Sequence, residues 1–450
     1  MGRIRTLLAL PFVLALFLAA CSSSGDDDDV ATGDDDGDTT TTVADEEETP
    51  DGEVPEGSTV GITDDTINMS VLFADTAALA EAGLVPDIGD PLQDYQVFAD
   101  LANEEGGAGG RNITVTSHLY PPGSTATDQQ PACVQATEDD EAAFIVFVGG
   151  FAAETVLCVT EEHERVALAQ AGVIIKEIYD RSQGRFFAHG MMAEREMQGW
   201  VVALEKHGDL EGKTFGIIRA DQPDHEAAAE ALTAALEDAG YEVAENIALP
   251  CEATACTQNE TAVERFQSSG VDAVFSLLSA IPNPTFIGAA DAAGFDPQWF
   301  ASDFENQVFD VTAQFMESVK GPYDGAIGFS YGLEEPETDE YGEDCNARFT
   351  EVTGITYEYD TDAWRQVRSA CYTVDEFVTA ANYAMDEYGV LNGATLVKGF
   401  ESQPEYALGD QFGSWSETKH DAADSVVLKT MGADCLCWTE IEGTRDAFSG

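Results

Sequence analysis

The chain has 450 residues, of which 85 are acidic and 20 basic, and its formal net charge is −65. Nucleic-acid binding depends on Lys and Arg neutralising phosphates, so a field of this sign excludes it, and it opposes docking on anionic lipid except through an inserted anchor. The acids are spread along the whole chain, which reads as a solvated coat for a salty or acidic habitat and not as one cation-selective surface.

The N-terminus opens with Arg3 and Arg5 and an apolar run, Leu7–Leu18, in the order and length of a secretory signal. A membrane-spanning helix needs roughly 20 apolar residues, so this run is too short. It ends in "LAAC" (Leu18-Ala19-Ala20-Cys21) and turns at once to "SSSGDDDD". That junction resembles the bacterial lipobox, in which cleavage precedes the cysteine and its thiol is acylated. The resemblance implies removal of residues 1–20 and a lipoprotein held to the cell membrane by Cys21. Residues 22–59 carry fifteen carboxylates, no Lys or Arg and no aromatic residue. Such a segment buries too little apolar surface to offset its ordering entropy, so residues 21–59 are expected to be a disordered tether, extended by like-charge repulsion.

Apolar periodicity starts near Thr59. "TINMSVLF" (66–73) predicts a strand entering a buried parallel sheet. Leu92, Tyr95, Phe98 and Ala102 then mark one face of a helix, glycines stop it, and "NITVTSHLY" predicts the next strand. The alternation continues through a helix containing Cys133–Asp140, strand "AAFIVFVGG", helix "AAETVLCVTEEH" and strand "RVALAQAG". After "RSQGRFFAHG" a second series begins, with helix 194–206, strand "KTFGIIRA", helix "HEAAAEALTAALEDAG" and strand "YEVAENIAL". It goes on through a helix near 261–269, strand "VDAVFSLLS", helix "PTFIGAADAAG" and strand "QWFASD". From about Gly321 come strand "AIGFSYG", long helices including Asp362–Tyr388, and "QFGSWSETKHDAADSVVLKTMG", read as an aromatic-bearing strand pair.

Strands alternating with helices give the fold class as α/β, and two series of similar length give two doubly wound parallel-sheet lobes with a ligand cleft between them. Residues 60–182 and 321–412 are assigned to lobe one, 183–320 and 413–445 to lobe two. Eight cysteines remain beyond Cys21, and an even count in an exported chain is read as disulfides. Proximity along the chain favours Cys133–Cys158, Cys251–Cys256, Cys345–Cys371 and Cys435–Cys437. A metal site using "CLC" is the competing reading for the last pair.

The chain resembles a type I periplasmic binding protein of the branched-chain amino-acid receptor family that feeds ABC importers. The likeness rests on "VGITDDTINMSVLF", "ANEEGGAGGRNITV", "FIVFVGG" and "RVALAQAG" in the first lobe, and on "KTFGIIRAD", "EAAAEALTAALEDAGYEV" and "SGVDAVFSLLS" through "PQWFASD" in the second. It implies capture of a small polar metabolite, an amino acid or amide-like compound, and delivery to an ABC permease. In that family a ligand carboxylate is held by the loops after two lobe-one strands. The matching positions here include Phe151, Ala152, Ala153, Gln170 and Ala171, none of them serine or threonine. The acidic residue for a ligand ammonium falls on Asp303, and small residues around Ser279 stand where the family has an aromatic. Arg219 and Asp221 end a lobe-two strand, where Arg219 offers a bidentate contact to an anionic group or a salt bridge to a neighbouring acid.

No HExxH pair, G-x-S-x-G elbow or Walker loop is read in the sequence, so no catalytic residue, cofactor or metal is expected. The expected protein is a monomer whose partners are a small ligand, a permease and, through its lipid anchor, the membrane. A sensor of the same fold and a secreted surface hydrolase are the alternatives.

Overall fold

The computed structural model describes residues 54–448 apart from 82–86, 123, 253–254, 332–338, 360, 404–405 and 409–410. Cys21 and the acidic stretch through residue 53 lie outside the described residues. Among the described residues no helix is long and apolar enough to cross a membrane.

Strands β1 (Thr66–Ala74), β2 (Asn112–Tyr120), β3 (Phe144–Phe147), β4 (Val166–Ala169) and β5 (Phe186–Ala188) form a five-stranded parallel sheet in the order β2-β1-β3-β4-β5. The second sheet places β6 (Phe215–Ala220), β7 (Val243–Leu249), β8 (Ala273–Leu277), β9 (Gln298–Ser302) and β10 (Ile327–Ser330) in the parallel order β7-β6-β8-β9-β10. Beyond β10 it continues antiparallel with β11 (Ser425–Gly432) and β12 (Cys437–Glu440), and β13 (Asp446–Ala447) pairs with β11.

The strands read as continuous apolar runs because both faces of each sheet are covered. Phe144 and Val146 of β3 enter one core cluster while Ile145 and Phe147 enter another. The outer cluster of lobe one packs β1–β5 against α1 (Pro91–Glu104), the long α9 (Asp362–Tyr388) and α10 (Gly393–Glu401). Here Phe144 stacks on Phe377 at 4.6 Å between centroids, and Phe187 and Phe400 both pack against Trp415. On the inner face lie α2 (Ala126–Val134) and α3 (Ala153–Leu157). The start of α9 is set by Thr361, whose side chain accepts from the Trp364 N–H, and its end by Gly389 in the left-handed region. Lobe two carries α4 (Ala193–His207), α5 (Pro223–Asp238), α6 (Asn259–Ser268) and α7 (Asn283–Ala292), and α8 (Glu340–Thr353) returns to lobe one. One apolar cluster runs from the inner face of the first sheet to that of the second through Met191, Ala193 and Met197.

Four disulfides join Cys133 to Cys158, Cys251 to Cys256, Cys345 to Cys371 and Cys435 to Cys437, the pairing that proximity favours. The "CLC" cysteines are thus bonded to each other, which removes them as a metal pair.

Three segments cross between the lobes, and two of them run side by side. The first follows β5 into α4, and the third leads from Gly413 to β11. Ala188 and Ala422 are joined through Ala422 N–H to Ala188 O (2.8 Å), and Ala423 N–H reaches Gly190 O (3.2 Å). Arg195, in the first turn of α4, fastens them. Its Nε donates to Asp421 Oδ2 (2.6 Å), Nη1 to Asp424 Oδ1 (3.2 Å) and to Phe448 O (2.9 Å), and Nη2 to Ala423 O. Half-buried Lys419 adds a bond from Nζ to Asp424 Oδ2 (2.9 Å), so two cations balance the two buried anions.

Three sequence expectations need correction. Phe186–Ala188 is a fifth strand of lobe one, so the first crossing falls after Ala188 and not after residue 182; a strand of three residues leaves too little periodicity to detect. Strand β10, assigned to lobe one, pairs with β9 and belongs to lobe two, so the second crossing follows Ser330. The expected aromatic strand pair does not form: residues 425–432 join the lobe-two sheet, Gln411–Gly413 pairs instead with Tyr406–Leu408, and residues 414–424 form the third crossing. The tether also ends sooner than residue 59. Asn392 Nδ2 donates to Pro55 O (3.0 Å), Gly393 N–H to Ser58 O (2.8 Å) and Arg165 Nη1 to Ser58 Oγ (3.2 Å), which dock residues 55–58 on lobe one.

Removing one member of a buried charge cluster leaves the others unpaired, which costs about 3–5 kcal/mol. Arg195→Ala is expected to lower the unfolding free energy by that amount in urea denaturation. Lys176→Ala, which breaks an exposed pair with Asp180, is expected to cost less than about 1 kcal/mol.

Candidate functional site

The carboxyl ends of the two parallel sheets meet at one point: Gly172, after β4, donates its N–H to the hydroxyl of Tyr331, after β10, at 3.3 Å. The start of the first crossing packs tightly on the same loop, since a Cβ on Gly190 would lie 2.0 Å from Gly172 O.

On the lobe-one side the two expected loops are present, but their backbone donors are partly engaged. Gln129, fully buried on α2, accepts through Oε1 from the Ala152 N–H (2.9 Å) and from Thr155 Oγ1 (2.7 Å), and donates through Nε2 to Gly150 O (3.1 Å). The Gly172 N–H is the one held by Tyr331. Phe151 is half-buried with its ring 4.8 Å from that of Phe147, and Ala153 begins α3. Gln170 turns into its own lobe, where Nε2 donates to Tyr95 Oη (2.6 Å), while Ala171 is exposed.

On the lobe-two side Asp221 is exposed and Ser279 half-buried at the ends of β6 and β8. Arg219 takes the salt-bridge alternative: Nη2 lies 3.4 Å from Glu226 Oε1, Nε donates to Asn246 Oδ1 and Nη1 to Ala220 O. Asp303 departs from the expectation of a cleft-facing partner for an ammonium. It is 2 % exposed, and its Oδ2 accepts from Ser330 Oγ (2.7 Å) and the Tyr331 N–H (3.0 Å), within its own lobe. The end of β10 attracts the carboxylate because its hydroxyl and amide both point at one oxygen. Thus Phe151, Ala152, Ala171, Asp221 and Ser279 stand at the facing sheet edges, and Gln170, Arg219 and Asp303 are committed to internal contacts.

Contrary to the expectation that no G-x-S-x-G string occurs, residues Gly328–Gly332 spell one, the pattern of a hydrolase nucleophile elbow. An elbow needs its serine exposed on a strand-to-helix turn. Ser330 is 1 % exposed, ends a strand that leads into a crossing, and donates to Asp303, so the string serves as a carboxylate clamp.

Sequence reasoning missed Gln129, Tyr331 and Glu196. Gln129 sits inside a helix with nothing in its spacing to mark it; Tyr331 follows a strand end, a position that alone could have flagged it. Glu196 on α4 is fully buried, with Oε1 accepting from the Phe304 N–H (2.9 Å). Burial, with Asp303 beside it, pushes the Glu196 carboxyl well above the usual carboxylate range.

A carboxyl group whose pKa is raised by folding stabilises the fold fully below its unfolded pKa and loses that contribution as pH rises through the folded value. The native protein is therefore expected to lose thermal stability from pH 5 to pH 9, and Glu196→Gln to lose less, with a difference on the order of 2 kcal/mol. General repulsion among the many acids affects both proteins alike, so parallel melting curves across this range would show that Glu196 is ionised throughout.

The sequence profile of the periplasmic binding proteins matches residues 82–431. No curated protein matches the sequence significantly. Among solved structures, an ABC transporter substrate-binding protein from Desulfitobacterium hafniense in complex with Leu is similar with a TM-score of 0.58 at 15 % identity, covering 84 % of this chain and 100 % of its own. A solute-binding protein of an ABC transporter from R. palustris in complex with 4-hydroxybenzoate gives 0.63 at 13 % identity, covering 86 % and 98 %. A fatty acid ABC transporter substrate-binding protein from Thermomonospora curvata gives 0.60 at 15 % identity, covering 88 % and 95 %. With its profile matched over most of the chain and two parallel-sheet lobes joined by crossings, this protein belongs to the periplasmic binding protein family, which binds solutes outside the cytoplasm and is not a family of enzymes.

Proposed function

We propose that the chain is the solute-binding lipoprotein of an ABC importer. Anchored through Cys21, it captures a small polar metabolite, an amino acid or amide-like compound, between its lobes and presents the closed form to a permease. The observation that carries the reading is the meeting of two sheet edges at Gly172 and Tyr331. Open α/β sheets bind ligands at the carboxyl ends of their strands, and here two such ends face each other at the Gly172–Tyr331 contact beside the crossing segments. The substrate-binding proteins of ABC transporters among the similar structures support the importer role. The lipobox-like "LAAC" supports the anchor.

Phe151 offers the solute an apolar ring, Ser279 a hydroxyl and Asp221 a carboxylate. A solute carboxylate that takes the Ala152 and Gly172 amides has to displace Gln129 Oε1 and the Tyr331 hydroxyl. Selectivity then follows from how well the solute replaces those two internal partners.

Isothermal titration of the purified protein against amino acids, amides, hydroxybenzoates and fatty acids tests the reading. The expected result is saturable one-to-one binding of an amino acid or amide. Binding of fatty acids alone would overturn the polar-metabolite assignment, and the absence of heat with every class would overturn the receptor assignment.

A further inference from the structure

At the carboxyl edge of the second sheet, outside the contacts described above, the first turn of α5 meets the segment that follows β9. We propose that His225 and Glu305, with Asp224 orienting the imidazole, form a binding site for one divalent transition-metal ion of the series from manganese to zinc.

His225 is 2 % exposed. Its Nδ1 lies 3.0 Å from Asp224 Oδ1, an arrangement in which Nδ1–H donates to the carboxylate and, in the neutral ring, the lone pair resides on Nε2. Carboxylate-oriented imidazoles of this kind are the usual metal-binding form, because the outer hydrogen bond fixes both tautomer and ring orientation. Nε2 is buried and has no hydrogen-bond partner. Glu305 Oε1 stands 3.8 Å from it, too far for a hydrogen bond. Two ligand atoms each about 2.1 Å from a shared ion lie at most roughly 4.2 Å apart, so the span suits one ion between them. One donor atom from each of the three residues lies within 4.8 Å of the others.

The surroundings hold this geometry. Phe304 packs edge-on against the His225 ring at 5.2 Å, and the Glu305 carbonyl accepts from the Ala280 N–H at 3.3 Å. The side chains of Asp224 and Glu305 are 38 % and 31 % exposed, so the triad opens to solvent on one side, where further coordination positions are available to water or to a donor atom of a solute. An imidazole nitrogen facing the Glu305 carboxylate favours borderline ions over calcium and magnesium, which prefer all-oxygen shells. Two carboxylates offset the double charge of the ion, and the acidity of the chain raises the local concentration of cations. The site stands whatever solute the lobes enclose.

The test uses the full chain, stripped with EDTA and then held in excess calcium to saturate scattered carboxylates, and titrated with CoCl2 or ZnCl2 by calorimetry. The expected result is one saturable equivalent, weakened by at least about tenfold in His225→Asn and in Glu305→Gln. Glu305 is partly exposed, so its variant is expected to melt like the native protein and keeps the test valid if the His225 variant fails to fold. No saturable event above the calcium background, or equal affinity in Glu305→Gln and the native chain, would overturn the site.

Discussion

The buried guanidinium of Arg195 is the constraint on which the two-lobed arrangement depends. A chain that passes between sheets carries backbone groups with no ladder to join, and each must find a partner where little water reaches. Arg195 supplies donors to Ala423 O and Phe448 O while its charge is met by Asp421 and Asp424. The first and third crossings and the C-terminal end are thereby tied to the first turn of α4. In a chain with 85 acids and 20 bases, one buried cation can organise several acidic segments at once. An apolar residue of similar size could fill the space but would leave the Asp421 carboxylate without its counter-charge and Asp424 with Lys419 alone.

Around that junction the lobes differ from the crossings in kind. Each sheet is buried on both faces and packed by aromatic side chains, as at Phe144, Phe377 and Phe400. Specificity belongs to the loops at the strand ends, which a stable scaffold can vary freely. The similar structures, at 13–15 % identity, are complexes or transporters named for leucine, 4-hydroxybenzoate and fatty acid. One fold thus carries chemically unlike ligands in those proteins. In the present chain the Ala152 amide is held from within lobe one by Gln129 and the Gly172 amide from across by Tyr331.

Much of the architecture was legible because burial on both faces writes long apolar strands, and because Gly and capping residues punctuate the helices. Asp362–Tyr388 is read with the bounds it has in the structure, where Thr361 caps its start and Gly389 its end. Phe186–Ala188 escaped notice because three residues set no period, and the third crossing mimicked a strand because Trp415 and its neighbours alternate in character. The site was legible as strand ends and not as side-chain directions. Arg219 and Asp303 do lie at strand ends, but whether such a residue faces a gap or its own lobe depends on partners such as Glu226, Ser330 and Tyr331, which are distant or uninformative in sequence. His225 carried no signal at all, since its partner Glu305 is remote along the chain.

The central claim is that a solute entering between the sheet edges draws the lobes together about the Arg195-fastened crossings. Small-angle X-ray scattering of the full chain, with and without a saturating concentration of a solute that calorimetry shows to bind, measures this directly. The account predicts a smaller radius of gyration in the bound state. An identical scattering profile at saturation would contradict it.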